Sequence, residues 1–586
     1  MSAALKLRDE PTNAVNGSPF TRHNAFETQF SGVEHQFLYS SDGDRLAQME
    51  GNGVSVYDAE TGDYLFHCHG PEGTILQAVD LSPKGKYLVT YSKQMGKGSD
   101  GGNSLTWTHC TKSHTFPLSS SVDGNLVVWD VASGGLVAHF SSKGVFVSEA
   151  WPFIQWSSDE SLACRIAPDG IHLHEEKSLR QGLTKPDHTV ALERLSGMKL
   201  APNMRQGSGG APACSVWIAA FVTEANKERV DFFEYPHRLG SPVMSLPLPA
   251  AEEASLLWAH DSYAMLVLSS VLVDATNQNY YGANSLSLIT MPSPGEPARL
   301  GPVLLDRDGP VHDVAWSPVS HEFVVVYGTM PAKAALFTPE GIPAFSYGSG
   351  AFNTVIWAPH GRFLVLGGFG NLAGQMQFWD KSMQQKLGQA NAHCAIYRAF
   401  SPCSRFFMTA VTFPGLRVDN QFSLWTYDGK LVYTESGIPE LYQCEWRPSP
   451  PGCWADRTSS PDVLAVAKAA DKTAALAGVG SKGAGFKPFR RVSFGLHNEE
   501  EAAPVGAVHH TLARAPANLP RPSGGLRVFS QGLYSLPNGP PGAALSKTQK
   551  RKLKKKEKEM NRSAPPSAGQ AGGDSGADSD AQGTSG

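Results

Sequence analysis

Short apolar runs recur in a fixed order along the first 450 residues. Each unit has an apolar strand often ending in an aromatic, then a Ser-Pro or Ser-Asp turn, then a second apolar strand. The copies are FLYSSDGDRLA from Phe37, VDLSPKGKYLVT from Val79, IQWSSDESLACR from Ile154 and LLWAHDSYAMLVL from Leu256. VAWSPVSHEFVVVYG from Val314, VIWAPHGRFLVLGG from Val355, RAFSPCSRFFMTA from Arg398 and QCEWRPSP from Gln443 continue the series. MKLAPN from Met198 is a degraded copy. A third strand, often closing on an aromatic and Asp, follows as VSVYD (54–58), LVVWD (126–130) and MQFWD (376–380), with FSLWTYDG from Phe422 as a variant. Short apolar runs bounded by Ser, Asp, Pro and Gly predict antiparallel strands joined by tight turns.

The turns fall near residues 41, 82, 157, 201, 260, 317, 358, 401 and 448, and several intervals lie between 41 and 46 residues. That period is close to the ~40–45 residues of a four-stranded propeller blade. The expected fold is therefore all-β, a WD-type β-propeller over residues 1–450. Nine first strands imply nine blades, with eight as the alternative. The N-terminal ALKLRD is a candidate strand to close the ring, because closure hides sheet edges. Longer intervals contain insertions, notably the polar 93–120 stretch, to which no function attaches.

After Trp446 the composition shifts. Residues 451–544 read as a Pro/Gly/Ala-rich linker, mostly disordered, with a weak apolar patch VLAVAKAA from Val463. Residues 545–562 read as a basic helical segment that Ser546 can cap, and 563–586 as a disordered tail. The basic segment carries seven Lys, two Arg and two Glu, a local +7 against −4 for the whole chain, so the remainder sums to −11. Such clustering gains from counterion release on a polyanion, without sequence preference. It makes Lys547, Lys550, Arg551, Lys552, Lys554, Lys555, Lys556 and Lys558 candidate RNA-binding residues; the plainer reading is a solvated tail or a targeting patch.

Catalytic and metal chemistry find little support. The eight cysteines are scattered with no Cys-x-x-Cys pair, which fits a reducing compartment. No apolar run reaches the ~20 residues of a membrane span, so a soluble, cytoplasmic protein with no membrane association is expected. His67 and His69 share a strand face, but no second cluster completes a metal site, and none is expected. GGFGNLAG from Gly367 resembles a phosphate-cradling loop, yet it runs from strand to strand rather than into a helix. No cofactor and no enzymatic activity are expected.

The loops between second and third strands carry more information. DATNQNYYGAN (274–284), GTMPAK (328–333), GGFGNLAGQ (367–375) and TFPGLRVDN (412–420) belong to four successive units, and so to one face of a ring. They make Tyr280, Tyr281, Met330, Lys333, Phe369, Asn371 and Arg417 a candidate docking face for protein or structured RNA. The alternative is that the aromatics pack on neighbouring loops.

YYG at 280–282, VYGTMPAKAALF at 326–337, LVLGGFGNLAGQMQFWD at 364–380 and LRVDNQFSLW at 416–425 resemble the eukaryotic translation initiation factor 2A family. The likeness runs in order from near residue 37 to about 450, with LKLRD…VNGSP near the start and LSKTQKR near 545 also fitting. The resemblance implies a nine-bladed propeller that binds the small ribosomal subunit and promotes initiator methionyl-tRNA delivery without GTP. It further implies C-terminal contacts to tRNA, mRNA and other initiation factors, in a protein read as a monomer. The resemblance also implies a long charged C-terminal helix, which residues 563–586, rich in Gly, Ala, Ser and Asp, are not expected to form. A different reading is a propeller scaffold of another initiation or regulatory complex, such as the propeller subunit of initiation factor 3.

Overall fold

The computed structural model describes residues 37–476 apart from 73, 95–104, 112–117, 123, 141–151, 181–184, 204, 207–213, 225–226, 272–282, 293–296 and 414, together with strands 5–7 and 20–22. Eight antiparallel blade sheets, each with a core of four strands, follow one another among these residues. Their first strands are Phe37–Tyr39, Thr74–Leu81, Ile154–Trp156, Leu195–Leu200, Glu253–Trp258, Val311–Trp316, Thr354–Trp357 and Tyr397–Phe400. These coincide with the first strands expected from the repeat, and the degraded MKLAPN copy supplies the fourth. The protein is an all-β propeller.

Turns between first and second strands bond to their neighbours along one face at several blade junctions. Asp42 N–H donates to Pro83 O (3.3 Å), Lys84 N–H to Glu160 Oε1 (2.6 Å) and Ser158 N–H to Pro202 O (3.1 Å). Asn203 N–H then donates to Ser262 Oγ (2.9 Å), His321 Nε2 meets Asp261 Oδ2 (2.6 Å), and His360 N–H donates to Ser404 Oγ (3.1 Å). Where the two ends of the ring meet, the Gly43 carbonyl accepts from Arg447 Nε (2.8 Å).

Gln443 ties the two ends of the ring together. Its Nε2 donates to Phe37 O (2.8 Å), and its Oε1 accepts from Phe37 N–H (3.1 Å). Gln155 brackets the next blade in the same way at Met198 O and Leu200 N. Trp446 also behaves as a first-strand residue. Its indole Nε1 donates to Ala399 O (3.2 Å), as Trp258 does to Lys199 O, Trp316 to Leu257 O and Trp357 to Ala315 O. Gln443–Arg447 thus takes a ninth inner-strand place, although it forms no strand ladder among the described residues. Leu5–Leu7, the expected closing strand, pairs with Phe20–Arg22 in a two-stranded sheet of its own.

Two stretches differ from expectation. The 93–120 insertion includes strands Leu105–Thr111 and Leu118–Val122. The first pairs with Tyr64–His69, so the chain leaves blade 2 to extend the outer edge of blade 1, then returns. The expected disordered linker at 451–544 is corrected over its first part. Residues 451–460 run beneath blades 7 and 8, and Pro461–Leu476 is a helix. Arg362 makes a bidentate contact with Asp456 (2.8 Å at its closest), and Ser459 Oγ donates to the buried Asp380 (2.6 Å). Pro461 occupies the first turn, where its missing N–H costs nothing. Val463, Leu464 and Ala467 pack toward the core of blades 7 and 8. Single anchoring residues hold this strap, so its bulk composition did not reveal it. The basic segment 545–562, with all its candidate lysines and Arg551, lies outside the described residues, as does 563–586.

Candidate docking face

Three of the four distinctive loops are described in most of their length, and each is fixed by the loop that enters the next blade or its own. In blade 6, Gly328 N–H donates to Pro310 O (2.9 Å), and Arg307 Nη1 donates to Pro331 O (2.7 Å). A Cβ on Gly328 would lie 2.4 Å from Arg307 Cδ, and its φ of +91° suits glycine. This leaves Met330 45% exposed at the tip. Lys333 pairs with Asp306, which also accepts from Tyr327 Oη (2.7 Å). Burial, then the carboxylate, pushes the Tyr327 phenol up, and its partners hold the Asp306 carboxyl below its ordinary value despite opposing desolvation. Lys333 is thus engaged within the protein.

In blade 7, Asn353 clamps the glycine loop from both sides. Its Nδ2 donates to Phe369 O (2.8 Å) and its Oδ1 accepts from Phe369 N–H (2.9 Å). A Cβ on Gly368 would meet Ala351 O at 2.0 Å, so only glycine permits this approach. Phe369 is turned inward, 3% exposed, with the Arg398 guanidinium 4.7 Å from its ring centre. Its expected place on the docking face is therefore corrected: the ring anchors the loop, and burial lowers the pKa of the stacked Arg398. Asn371 remains exposed. The loop joins strands Phe363–Gly367 and Gln375–Asp380, with no helix start to hold a phosphate.

In blade 8, Asn420 Nδ2 donates to Leu416 O (2.7 Å), while its Oδ1 accepts from Leu441 N–H (3.0 Å). Arg417 and Val418 stand out at the tip, Val418 at 60% exposure. Tyr280 and Tyr281 of blade 5 lie outside the described residues. Leu304, 78% exposed, and Ile396 belong to the adjoining loops of the same face and were not singled out from the sequence. No sequence signal distinguishes an exposed leucine from a buried one until the neighbouring blade is in place. The available surface therefore consists of Met330, Asn371, Arg417, Val418, Leu304 and Ile396, on loops that local hydrogen bonds hold rigid.

His67 and His69, considered as metal ligands, are engaged with Ser55 Oγ (3.0 Å) and Gly70 O (2.8 Å). Cys68 points into the core. Among the described residues, no group of three or more His, Cys, Asp or Glu side chains is placed to hold a metal ion. No helix among them is long and apolar enough to cross a membrane.

Comparison with known proteins follows the same division of the chain. The family described as "Eukaryotic translation initiation factor eIF2A" matches residues 248–444. Eukaryotic translation initiation factor 2A of Dictyostelium discoideum is 31% identical over 444 residues, 75% of this chain and 66% of the relative. The Schizosaccharomyces pombe factor of that name is 31% identical over 415 residues, 70% of this chain and 64% of the relative. The chain belongs to the eukaryotic translation initiation factor 2A family. It spans slightly less than two thirds of these two relatives. A crystal structure titled as "the eukaryotic initiation factor" shares the fold, with a TM-score of 0.59 and 27% identity over 74% of this chain and 95% of that one. The stretch that matches the initiation factor 2A family begins just before blade 5 and ends within Gln443–Arg447. All four distinctive loops lie inside it.

Proposed function

We propose that this protein is a translation initiation factor that works by binding: it docks on the small ribosomal subunit and promotes initiator methionyl-tRNA delivery without GTP hydrolysis. The observation that carries the reading is the set of clamped loops on blades 6–8, lying wholly within the family-matched stretch. A rigid scaffold presenting loops is where binding function resides. The exposed Met330, Ile396 and Val418 rimmed by Asn371 and Arg417 suit a mixed protein and structured-RNA surface rather than a phosphate groove. Residues 547–558 add sequence-independent attraction to RNA, including mRNA, and the protein acts in the cytoplasm with other initiation factors.

Sucrose-gradient sedimentation with purified small subunits tests the docking. The full chain should co-sediment, and Met330→Asp/Arg417→Glu should weaken it without lowering the unfolding midpoint. Absence from small-subunit fractions sinks the reading and favours a scaffold of another complex. Removing residues 545–586 should weaken tRNA binding and flatten its dependence on salt; an unchanged salt slope removes the tail from the mechanism.

A further inference from the structure

Every blade has a row of three side chains, one from each of its first three strands, next to the turn that follows the first strand. In blade 6 the row is Trp316–Phe323–Phe337, in blade 7 Trp357–Leu364–Trp379 and in blade 8 Phe400–Phe407–Trp425. Blade 5 has Trp258–Met265–Ile289, blade 4 Leu200–Ile218–Phe233 and blade 2 Leu81–Leu88–Trp129. In blade 3 the register gives Trp156–Ala163–His174. A small side chain sits at its centre and an imidazole at its end. One row further along, Ile154–Arg165–His172 places a guanidinium and a second imidazole on the same face.

These groups face blade 2. The His174 ring lies 5.3 Å from the Phe140 ring, and the Arg165 guanidinium 4.5 Å from it. His174 is 2% exposed, yet neither of its ring nitrogens has a hydrogen-bond partner among the described residues. Arg165 Nε and Trp156 Nε1 on the same face are unpartnered too. Leaving several buried polar atoms unmatched at one junction is costly, on the order of 1–3 kcal/mol each. Protein interiors rarely do so away from a ligand or water site.

The other charges nearby are already engaged. Arg165 Nη2 donates to His172 Nδ1 (2.9 Å), and His172 Nε2 lies 2.7 Å from Asp169 Oδ1 at the solvent side. Asp187 accepts from Glu175 N–H (2.8 Å) and Ser178 Oγ (2.5 Å). What remains unmatched leans toward donors: the Arg165 Nε–H and the Trp156 indole N–H, with the neutral His174 ring adding one N–H and one bare nitrogen. An acceptor with negative charge complements that set.

We propose that the junction between blades 2 and 3 is a binding site for a phosphoryl group, held by Arg165 Nε and His174 beneath the Phe140 ring. Burial and the Arg165 charge hold the free His174 near 4, so an anion beside it promotes proton uptake. Affinity then rises as pH falls toward that value.

The full-chain protein, carrying 13C-labelled histidine, is titrated with inorganic phosphate and separately with acetate. His174→Gln assigns the ring signal. Phosphate should shift the His174 resonance, raise the thermal midpoint and take up protons on binding; acetate should act more weakly. Arg165→Met should weaken phosphate binding about tenfold or more, as expected for loss of a charge-assisted hydrogen bond. If that variant fails to fold, Arg165→Lys keeps the charge without the Nε–H and should also bind more weakly. A His174 resonance unmoved by tens of millimolar phosphate, or equal responses in wild type and the Arg165 variant, overturns the proposal. A response equal for acetate and phosphate overturns the phosphoryl assignment.

Discussion

Blades 3 and 6 use the same register for opposite purposes. Blade 6 fills its row with Trp316, Phe323 and Phe337, whose successive ring centres are 5.1 and 5.3 Å apart. The indole also bonds across to Leu257 O of the preceding blade (2.9 Å). Blade 3 keeps the tryptophan but surrounds it with Ala163 and His174. Trp156 stacks on Tyr87 of blade 2 at 4.9 Å, nearly parallel, and its Nε1 is left without a partner among the described residues. One junction is closed by apolar packing plus a repeated hydrogen bond. The other also packs apolar side chains around the stacked rings, but carries the unpartnered polar atoms of His174, Arg165 and Trp156 within the packing.

The largest effect should come from the closed junction. Phe337 is fully buried and stacked face to face on Phe323. Phe337→Ala should cost about 3–5 kcal/mol in urea unfolding, from lost transfer energy plus a cavity that the rigid rows cannot collapse. A cost below about 1 kcal/mol would mean that blade 6 is not the well-packed junction its ring geometry describes.

The next effect belongs to the junction of blades 2 and 3 and is read through pH. His174 is held down from 6.5 to about 4, by burial first and then by the Arg165 charge. Below pH 6.5 the unfolded chain therefore binds the proton before the folded one does. The contribution to stability is fully present above that value and lost as pH falls toward 4, by up to about 3 kcal/mol. His174→Leu should flatten stability between those pH values and be near neutral or stabilising at pH 7.5, since an apolar group replaces unmatched polar atoms. Retention of the full wild-type slope in that variant would move the titrating group elsewhere.

A third contrast isolates the indole bond itself. Trp316→Phe and Trp156→Phe remove the same atoms, but only the first loses a hydrogen bond to the preceding blade. Trp316→Phe should be the more destabilising by about 1 kcal/mol. Equal losses would show that the inter-blade bond contributes nothing beyond packing.

The two junctions also show what the sequence can and cannot reveal. Strand positions were legible because most first strands precede a Ser-Pro or Ser-Asp turn and the others a close variant with Ala at the first place, a local signal that tertiary context does not alter. Even the eroded MKLAPN copy sits at its predicted place. The docking loops were legible as glycine-rich interruptions, whereas the inward turn of Phe369 was not. It depends on Asn353 and Arg398, which are adjacent only after the blades pack. His174 was passed over for the same reason: on its strand it is one alternating residue, and only the row shows it standing where blades 2 and 4–8 bury an apolar side chain.

The smallest effect concerns the strap beneath blades 7 and 8. The Arg362–Asp456 contact is bidentate but partly exposed, with the aspartate side chain 44% accessible. Water and salt screen such a pair, so a double-mutant cycle with Arg362→Ala and Asp456→Ala should give a coupling of about 0.2–1 kcal/mol. Hydrogen bonding to Arg362 holds Asp456 below its ordinary value. The coupling is thus present above the ordinary carboxylate range and lost as pH falls through the depressed folded value. Ser459→Ala acts on the same strap differently, because it leaves one oxygen of the fully buried Asp380 without its donor. That substitution should destabilise more than the surface pair does, by about 1–3 kcal/mol. If the surface pair proved the stronger, the strap would be held by charge at its rim, and its attachment to blade 7 would weaken with added salt.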